Sequence, residues 1–120
     1  LNAPHRQTPP WKLPTWNTVE ILTTANDKVI NSGDPLNKGM HLKFRAKYFS
    51  NKKYHIKWQV TNTGIEARNC LRGDFYNSDD GMSNIRTELT SYTGIHYVQC
   101  FVISNGNCIA KSREFIVNVK

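Results

Sequence analysis

Two runs near the middle of the chain alternate between apolar and polar residues with a period of two. The first run places four apolar residues on one face, Leu42, Phe44, Ala46 and Tyr48. The second run repeats the pattern with Tyr54, Ile56, Trp58 and Val60. Successive side chains of a strand point to opposite faces, so a period of two with one apolar face predicts two half-buried antiparallel strands.

The rest of the chain also has strand character. Runs rich in β-branched or apolar residues lie at 18–24, 69–76, 85–91, 96–103, 108–110 and 115–119. The Asn105-Gly106 pair is typical of a tight type I′ hairpin turn. No stretch keeps a helical period for more than about two turns. We therefore predict an all-β fold, an antiparallel β-sandwich of roughly seven to nine strands.

Two features are similar to the immunoglobulin-like version of this architecture. Trp58 lies on a central strand, and Tyr97-x-x-Cys100 lies before the penultimate hairpin. The second cysteine of an inter-sheet disulfide has no counterpart, because Phe44 or Ala46 occupies its region. We predict an immunoglobulin-like sandwich without the inter-sheet disulfide.

The chain has 120 residues, a length that suits one domain. Residues 1–14 form a proline-rich N-terminal arm or interdomain linker, since prolines exclude a helix or central strand there. Residues 15–120 form the β-sandwich domain. Trp11 and Trp16 flank the end of the arm, so we expect the arm to pack along the domain or its neighbour. Leu1 is too large to follow a removed initiator Met, so we expect a piece of a longer protein.

Cysteine usage and hydropathy predict where the chain resides. The three cysteines, an odd count, lack the C-x-x-C spacing of zinc sites: Cys70, Cys100 and Cys108. Buried thiols in a reducing cytoplasm are the simplest account, with Cys100 in the core. No run approaches the ~20 apolar residues of a membrane span, and no signal-peptide core is present. We predict a cytoplasmic location, no membrane partner and no cofactor.

Positive charge is concentrated in one stretch. Lys and Arg outnumber Asp and Glu by 16 to 9, a net charge of +7. The two alternating strands carry four of the cations on their polar faces, Lys43, Arg45, Lys47 and Lys57. We expect these faces to be neighbours that form one basic surface. Such a surface either attracts a polyanion or is a solvated sheet face.

The sequence contains no motif for catalysis or metal binding. The four histidines lack metal-ligand spacing, and there is no nucleophile elbow or phosphate-binding glycine loop. Polar residues do concentrate at strand ends and junctions: Asn62, Glu66, Arg72, Arg86, Glu88, Tyr92 and His96. Arg86 and Glu88 lie two apart, hence on one face of a strand, and with Arg72 they form an ion-pair network. That network is either structural, with Tyr92 bonded at a corner, or part of a pocket in which arginine forks and an aromatic ring recognise phosphates and a base. We predict that this chain is not an enzyme.

Three strings carry a family resemblance: Trp58-x-Val60-x-Asn62-Thr63-Gly64-x-Glu66-Ala67, Leu71-Arg72-Gly73-x-Phe75, and Arg86-x-Glu88-x-Thr90-x-Tyr92-x-Gly94-x-His96-x-Val98-x-Cys100. They resemble the adenylyl/guanylyl and SMODS C-terminal sensor domain (AGS-C), and the likeness extends from His5 to Val119. The resemblance implies a module attached to bacterial cGAS-like nucleotidyltransferases of CBASS-type anti-phage systems. It implies that the module senses a nucleotide-type ligand and regulates the enzyme before it, whose catalytic carboxylates lie upstream.

Three functions follow as hypotheses. The first is a sensor that binds a nucleotide or an oligonucleotide, cyclic or linear, through the polar junction residues. The alternative is an immunoglobulin-like module that docks on its parent enzyme or on a phage protein. The third is DNA or RNA binding through the basic surface, with an affinity that falls steeply with salt.

Overall fold

The computed structural model describes residues 3–81 and 83–120, and it contains ten strands and no helix within them. The strands are β1 (Glu20–Ala25), β2 (Lys28–Ile30), β3 (Pro35–Leu36), β4 (His41–Lys47), β5 (His55–Thr61), β6 (Phe75–Asn77), β7 (Ile85–Leu89), β8 (Gly94–Ser104), β9 (Asn107–Lys111) and β10 (Phe115–Val119). The predicted all-β class is confirmed. No helix able to span a bilayer occurs among the described residues.

The strands form two sheets. The four-stranded sheet has the order β2-β1-β4-β7, and the six-stranded sheet has the order β3-β10-β8-β5-β6, with β9 paired to the later half of β8. Every pair between these strands is antiparallel except β3 with β10, which is parallel. The six-stranded sheet is therefore mixed rather than wholly antiparallel. The immunoglobulin-like description stays a prediction.

Aromatic side chains from both sheets meet in the core. The ring of Phe44 on β4 lies 6.3 Å from that of Trp58 on β5 and 5.7 Å from that of Phe115 on β10. The Trp58 ring is fully buried, and its indole N–H donates to the Ser78 hydroxyl at 3.0 Å. Cys100 lies in this core as a free thiol, as predicted, and burial raises its pKa to about 12.

The contact of Phe44 with Trp58 corrects the predicted basic surface. Strands β4 and β5 belong to different sheets and turn their apolar faces toward each other. Their polar faces consequently point to opposite sides of the molecule. Lys43, Arg45 and Lys47 share the outer face of the four-stranded sheet, whereas Lys57 faces outward from the six-stranded sheet and donates to the Asn77 side chain. The four cations do not form one surface.

The N-terminal arm lies across the outer face of the six-stranded sheet. Trp11 packs edge-on against Phe75, with ring centroids 5.2 Å apart, and lies 5.9 Å from Phe101. Arg6 forms a 2.6 Å ion pair with Glu114. This cover explains why Phe101, which faces away from the sandwich core, is only 1% exposed. The first two residues of the predicted arm, 1 and 2, lie outside the described residues.

Local predictions hold best where one residue type controls the backbone. Asn105 and Gly106 both adopt positive φ angles, 51° and 75°, as a type I′ hairpin requires, and they join β8 to β9. By contrast, β2 and β3 were not predicted, since they are only three and two residues long.

Candidate ligand-binding cleft

A cleft of about 90 Å³ opens between the two sheets, beside the C-terminal ends of β5 and β7 and the N-terminal half of β8. Its floor is apolar and belongs to the core, with Phe44, Val60, Val98 and Val117. Five of the seven predicted site residues line it: Asn62, Arg72, Glu88, Tyr92 and His96. The two sheets thus bring together residues that lie up to 34 positions apart in sequence, from Asn62 to His96.

The Glu88 carboxylate is held by two arginines. Arg72 Nη1 and Nη2 donate to Oε1 and Oε2 at 2.7 and 3.1 Å, a bidentate pair. Arg86, two residues before Glu88 and on the same face of β7, donates to Oε2 through Nε at 2.9 Å and through Nη2 at 2.7 Å. Because Arg72 precedes β6 and Glu88 belongs to β7, this network joins the edges of the two sheets.

Tyr76 completes the network, although its sequence context does not mark it as a site residue. Its ring centroid lies 4.6 Å from the Arg72 guanidinium carbon and 4.9 Å from that of Arg86, and its hydroxyl accepts from Arg72 Nε at 3.1 Å. A cation over an aromatic face is attracted by the ring quadrupole. The available signal was an aromatic residue four positions after an arginine, which is too common to be diagnostic.

Opposing effects act on the ionisation of Glu88. Burial raises the pKa of Glu88, whereas the hydrogen bonds and charges of Arg72 and then Arg86 lower it. The lowering effects together are larger, so the net shift of the pKa is downward. The hydrogen bond from Arg72 to Glu88 in turn raises the pKa of Arg72 against the effect of its own burial. Glu88 is therefore an ionised carboxylate at neutral pH, with a side chain only 11% exposed.

Asn62 fixes the segment that carries Arg72. Its side-chain oxygen accepts from the Arg72 backbone N–H at 2.6 Å, and its side-chain nitrogen donates to the Cys70 carbonyl at 2.8 Å. The Asn62 backbone N–H donates to the Arg72 carbonyl at 3.1 Å. Since both ends of the amide are occupied, Asn62 positions residues 70–72 and offers little to a ligand.

Two glycines allow the rim of the cleft to close. Gly64 and Gly94 have φ angles of +99° and +126°, and their backbones pass each other so closely that a Cβ at either would lie within 3 Å of a carbonyl oxygen. This approach places the Thr63 N–H 3.1 Å from Nδ1 of His96. His96 Nε2 donates to the Tyr92 carbonyl at 2.9 Å, so both ring nitrogens are occupied, and burial lowers the His96 pKa.

The remaining predicted residues lie at or beside the rim. A hydrogen bond with the Cys70 sulfur raises the pKa of Tyr92. Glu66 accepts from the Thr93 N–H and from Lys38, both at 3.0 Å, and these bonds lower its pKa. Neither Glu66 nor Arg86 lines the cleft.

Comparison with known proteins supports the resemblance. The family model of the adenylyl/guanylyl and SMODS C-terminal sensor domain matches residues 2–120. The chain belongs to this family. It is also similar to a cytidylate cyclase of Staphylococcus aureus, with 29% identity over 75 residues. That match covers 61% of this chain and 18% of the cyclase.

The geometry limits which groups of this sensor domain are available to a ligand. Arg72 has five N–H donors, of which three are used in the bonds above, so two remain on a side chain that is 33% exposed. The Tyr92 hydroxyl and the Ser91 hydroxyl complete the polar rim. Ser91 was not predicted, because a serine between two strands usually marks only a turn.

Proposed function

We propose that this chain is the non-catalytic regulatory sensor domain of a bacterial antiviral nucleotidyltransferase or related signalling protein in the cytoplasm. It binds a nucleotide or cyclic oligonucleotide at the cleft between the sheets. The family description supports sensing, and the cytidylate cyclase relative supports a link to nucleotide chemistry. The enzyme that the sensor domain regulates is a second partner.

The observation that carries the proposal is the junction of an apolar cleft with a partly exposed arginine–carboxylate pair. Small-molecule sites combine an apolar lining with a few convergent polar groups. Arginine binds phosphate through paired N–H donors, and a carboxylate can accept from the amino group of a base. Arg72 and Glu88 present both groups at the edge of a floor made by Phe44, Val60 and Val98.

The size of the cleft predicts how the ligand lies. Complete ligand sites measure about 300–1,000 Å³, and a cavity of about 150 Å³ holds benzene. A cleft of about 90 Å³ admits part of a base. Ribose and phosphate then rest on the rim, where Arg72 and Tyr92 are accessible.

A thermal-shift screen tests the proposal. The chain is heated with mononucleotides, cyclic di- and trinucleotides and short oligonucleotides, at low and at moderately high salt. We expect one nucleotide class to raise the midpoint at both salt concentrations, because a specific pocket is screened less than a surface charge. A ligand at about 100 times its dissociation constant adds about 2.7 kcal/mol of stability.

Two arginine variants make the screen specific for the cleft. Arg72→Lys keeps the charge but removes the fork, so we expect it to lose most of the shift. Arg68→Ala is the matched control, because Arg68 lies in the same segment but is exposed and outside the cleft. Equal shifts in both variants would contradict a role for Arg72 in binding.

A protein-docking module is the second candidate. Phe49, Ile65 and Trp16 are each more than three-quarters exposed, at 81, 79 and 77%. A protein interface would require such exposed apolar side chains to belong to one contiguous patch, so each of the three is a candidate contact. On this alternative no nucleotide changes the melting midpoint, whereas the parent enzyme or a phage protein forms a complex with the chain.

The basic face is a weaker candidate for nucleic-acid binding. Single-stranded nucleic acid usually stacks on aromatic side chains beside the cations. Among the described residues on the outer face of the four-stranded sheet there is no Phe, Tyr or Trp. A shift confined to low salt would indicate this generic attraction through Lys43, Arg45 and Lys47.

A further inference from the structure

The N-terminal arm contacts the segment that carries Arg72 through bare backbone. The Gln7 N–H donates to the Gly73 carbonyl at 2.9 Å. A Cβ on Gly73 would lie 2.4 Å from the His5 carbonyl oxygen and 2.7 Å from the Arg6 Cα. Since no side chain separates the two backbones, the arm and Gly73 are in direct backbone contact.

Two further residues connect the arm to the same segment. The Gln59 side chain, 2% exposed, donates to the carbonyls of both Gln7 and Gly73, at 2.7 and 3.0 Å. Asn62 accepts from the His5 ring at its carbonyl, 2.7 Å away, while its side chain holds the Arg72 backbone. Gln59 and Asn62 therefore each bond both to the arm and to the backbone at residues 72–73.

We propose that the arm is a strap whose docking on the six-stranded sheet is coupled to the Arg72–Glu88 pair in the cleft. Arg72 and Gly73 are adjacent, so the position that lets the Arg72 fork reach Glu88 is also the position that holds the Gly73 carbonyl against Gln7. The arm is docked while the pair is intact, and losing the pair loosens the strap.

A ligand uses this route if the proposed function holds. A phosphate that binds Arg72 through paired N–H donors must displace the Glu88 carboxylate, because the adjacent N–H groups of Nη1 and Nη2 are both bonded to it and the two donors that remain point away from each other. Binding then favours the released arm, and by linkage a released arm binds the ligand more tightly by the same factor. Coupling between sites is typically about 5- to 150-fold. The strap would pass the signal toward whatever the arm contacts.

Limited proteolysis measures strap docking without any ligand. Cleavage by trypsin after Arg6, called arm cleavage below, requires the arm to leave the sheet, because Arg6 pairs with Glu114 and the Gln7 N–H is bonded to the Gly73 carbonyl. Its rate follows the population of the open form when opening is fast. Lys12 is exposed, so cleavage after it confirms only that trypsin is active. Mass spectrometry follows the products that begin at Gln7 and Leu13. Cleavage after Lys57, inside β5, reports unfolding of the whole domain and serves as the internal reference.

Three variants decide the proposal. Gly73→Ala places a methyl group against the arm and should accelerate arm cleavage directly. Glu88→Gln removes the carboxylate without touching the arm, and we expect arm cleavage at least about fivefold faster than in the unmodified chain after the contribution of global unfolding, measured by cleavage after Lys57, has been subtracted from both rates. Glu20→Gln is the matched control, since Glu20 pairs with Lys47 on the other sheet, and it should behave like the unmodified chain.

The outcomes separate the strap from the proposed function. If Gly73→Ala accelerates arm cleavage but Glu88→Gln does not, the arm is independent of the cleft and the proposal is wrong. If Gly73→Ala itself has no effect, the close approach does not hold the arm, and the proposal is equally wrong. Should Glu88→Gln unfold the domain, Arg72→Lys replaces it in the same comparison.

A cyclic nucleotide that raises the melting midpoint is then added to the unmodified chain. Faster arm cleavage supports ligand control of the strap, and slower or unchanged cleavage contradicts it. If no nucleotide shifts the midpoint, the proposed function fails, whereas the ligand-free variants still decide whether strap and cleft are coupled.

Discussion

Replacing Glu88 with glutamine tests whether the ion-pair network holds the two sheets together. The substitution keeps the shape of the side chain but leaves two guanidinium groups without their carboxylate, and its amide nitrogen faces one of them. Removing one partner of a buried ion pair costs about 3–5 kcal/mol. The side chains of Arg72 and Arg86 are 33 and 22% exposed, so water compensates part of this loss. We expect a loss of about 2–3 kcal/mol, between the buried case and the surface case.

Urea denaturation followed by far-ultraviolet circular dichroism measures this loss at pH 7. In a chain of 120 residues the same loss lowers the melting midpoint by about 6–15 °C. The dependence of the free energy of unfolding on pH below neutrality is a second measurement. Because the pKa of Glu88 is lowered in the folded state from its ordinary value of 4.5, its stabilisation is complete above that value and is lost as pH falls through the folded pKa. The variant should therefore lose less stability on acidification. If Glu88→Gln lowers the free energy of unfolding at pH 7 by less than about 0.5 kcal/mol, the network is an ordinary surface ion pair and does not hold the two sheets together.

Three further predictions follow from single contacts. Gly64→Ala should lower the free energy of unfolding, measured by urea denaturation, by more than about 2 kcal/mol, because it adds a backbone clash to a positive φ. Gly39→Ala is the control and should cost about 1 kcal/mol, since Gly39 has a φ of +83° and nothing within 4 Å of the added Cβ. Equal losses would contradict the close approach of the two backbones at Gly64. Iodoacetamide should alkylate exposed Cys70 in the folded chain and spare Cys100, whose burial raises its pKa to about 12, so that equal labelling rates would contradict the described core. His96→Gln should flatten the dependence of the free energy of unfolding on pH below 6.5. Burial lowers the folded pKa of His96, so the unfolded chain takes up the proton first, and stability present above 6.5 is lost as pH falls toward the folded pKa. An unchanged slope would assign the effect to other groups such as His55.

The sequence predicts those parts of the fold in which a local pattern determines the structure. Alternation in β4 and β5 gives both strands within one residue, because burial of one face selects the period. The same alternation does not say which strand pairs with which. Two amphipathic strands joined by a short loop are compatible with a hairpin or with opposite sheets, and only the packing of Phe44 on Trp58 decides between them. This is why the basic surface was predicted with Lys57 included.

The candidate site was predicted as a set of residues but not as an arrangement. Arg86 and Glu88 could be paired from their spacing on one strand. Arg72 was predicted in the same ion-pair network, but its bidentate geometry on Glu88 could not be predicted, because it depends on how the edges of two sheets meet. Tyr76 was not selected for the same reason. The amide of Asn62 and the ring of His96 are occupied by backbone groups that lie between 4 and 33 positions away, which residue type alone does not reveal.

A nucleotide titration followed by ¹⁵N–¹H correlation spectroscopy tests whether a nucleotide binds at the cleft between the sheets. A chain of 120 residues gives resolved backbone amide signals, so a nucleotide from the thermal-shift panel reports its own contact surface. We expect saturable shifts confined to the cleft rim, at Asn62, Arg72, Glu88, Tyr92 and His96. Shifts centred on Lys43, Arg45 and Lys47 that vanish at higher salt, or no shifts with any nucleotide, would contradict binding at the cleft.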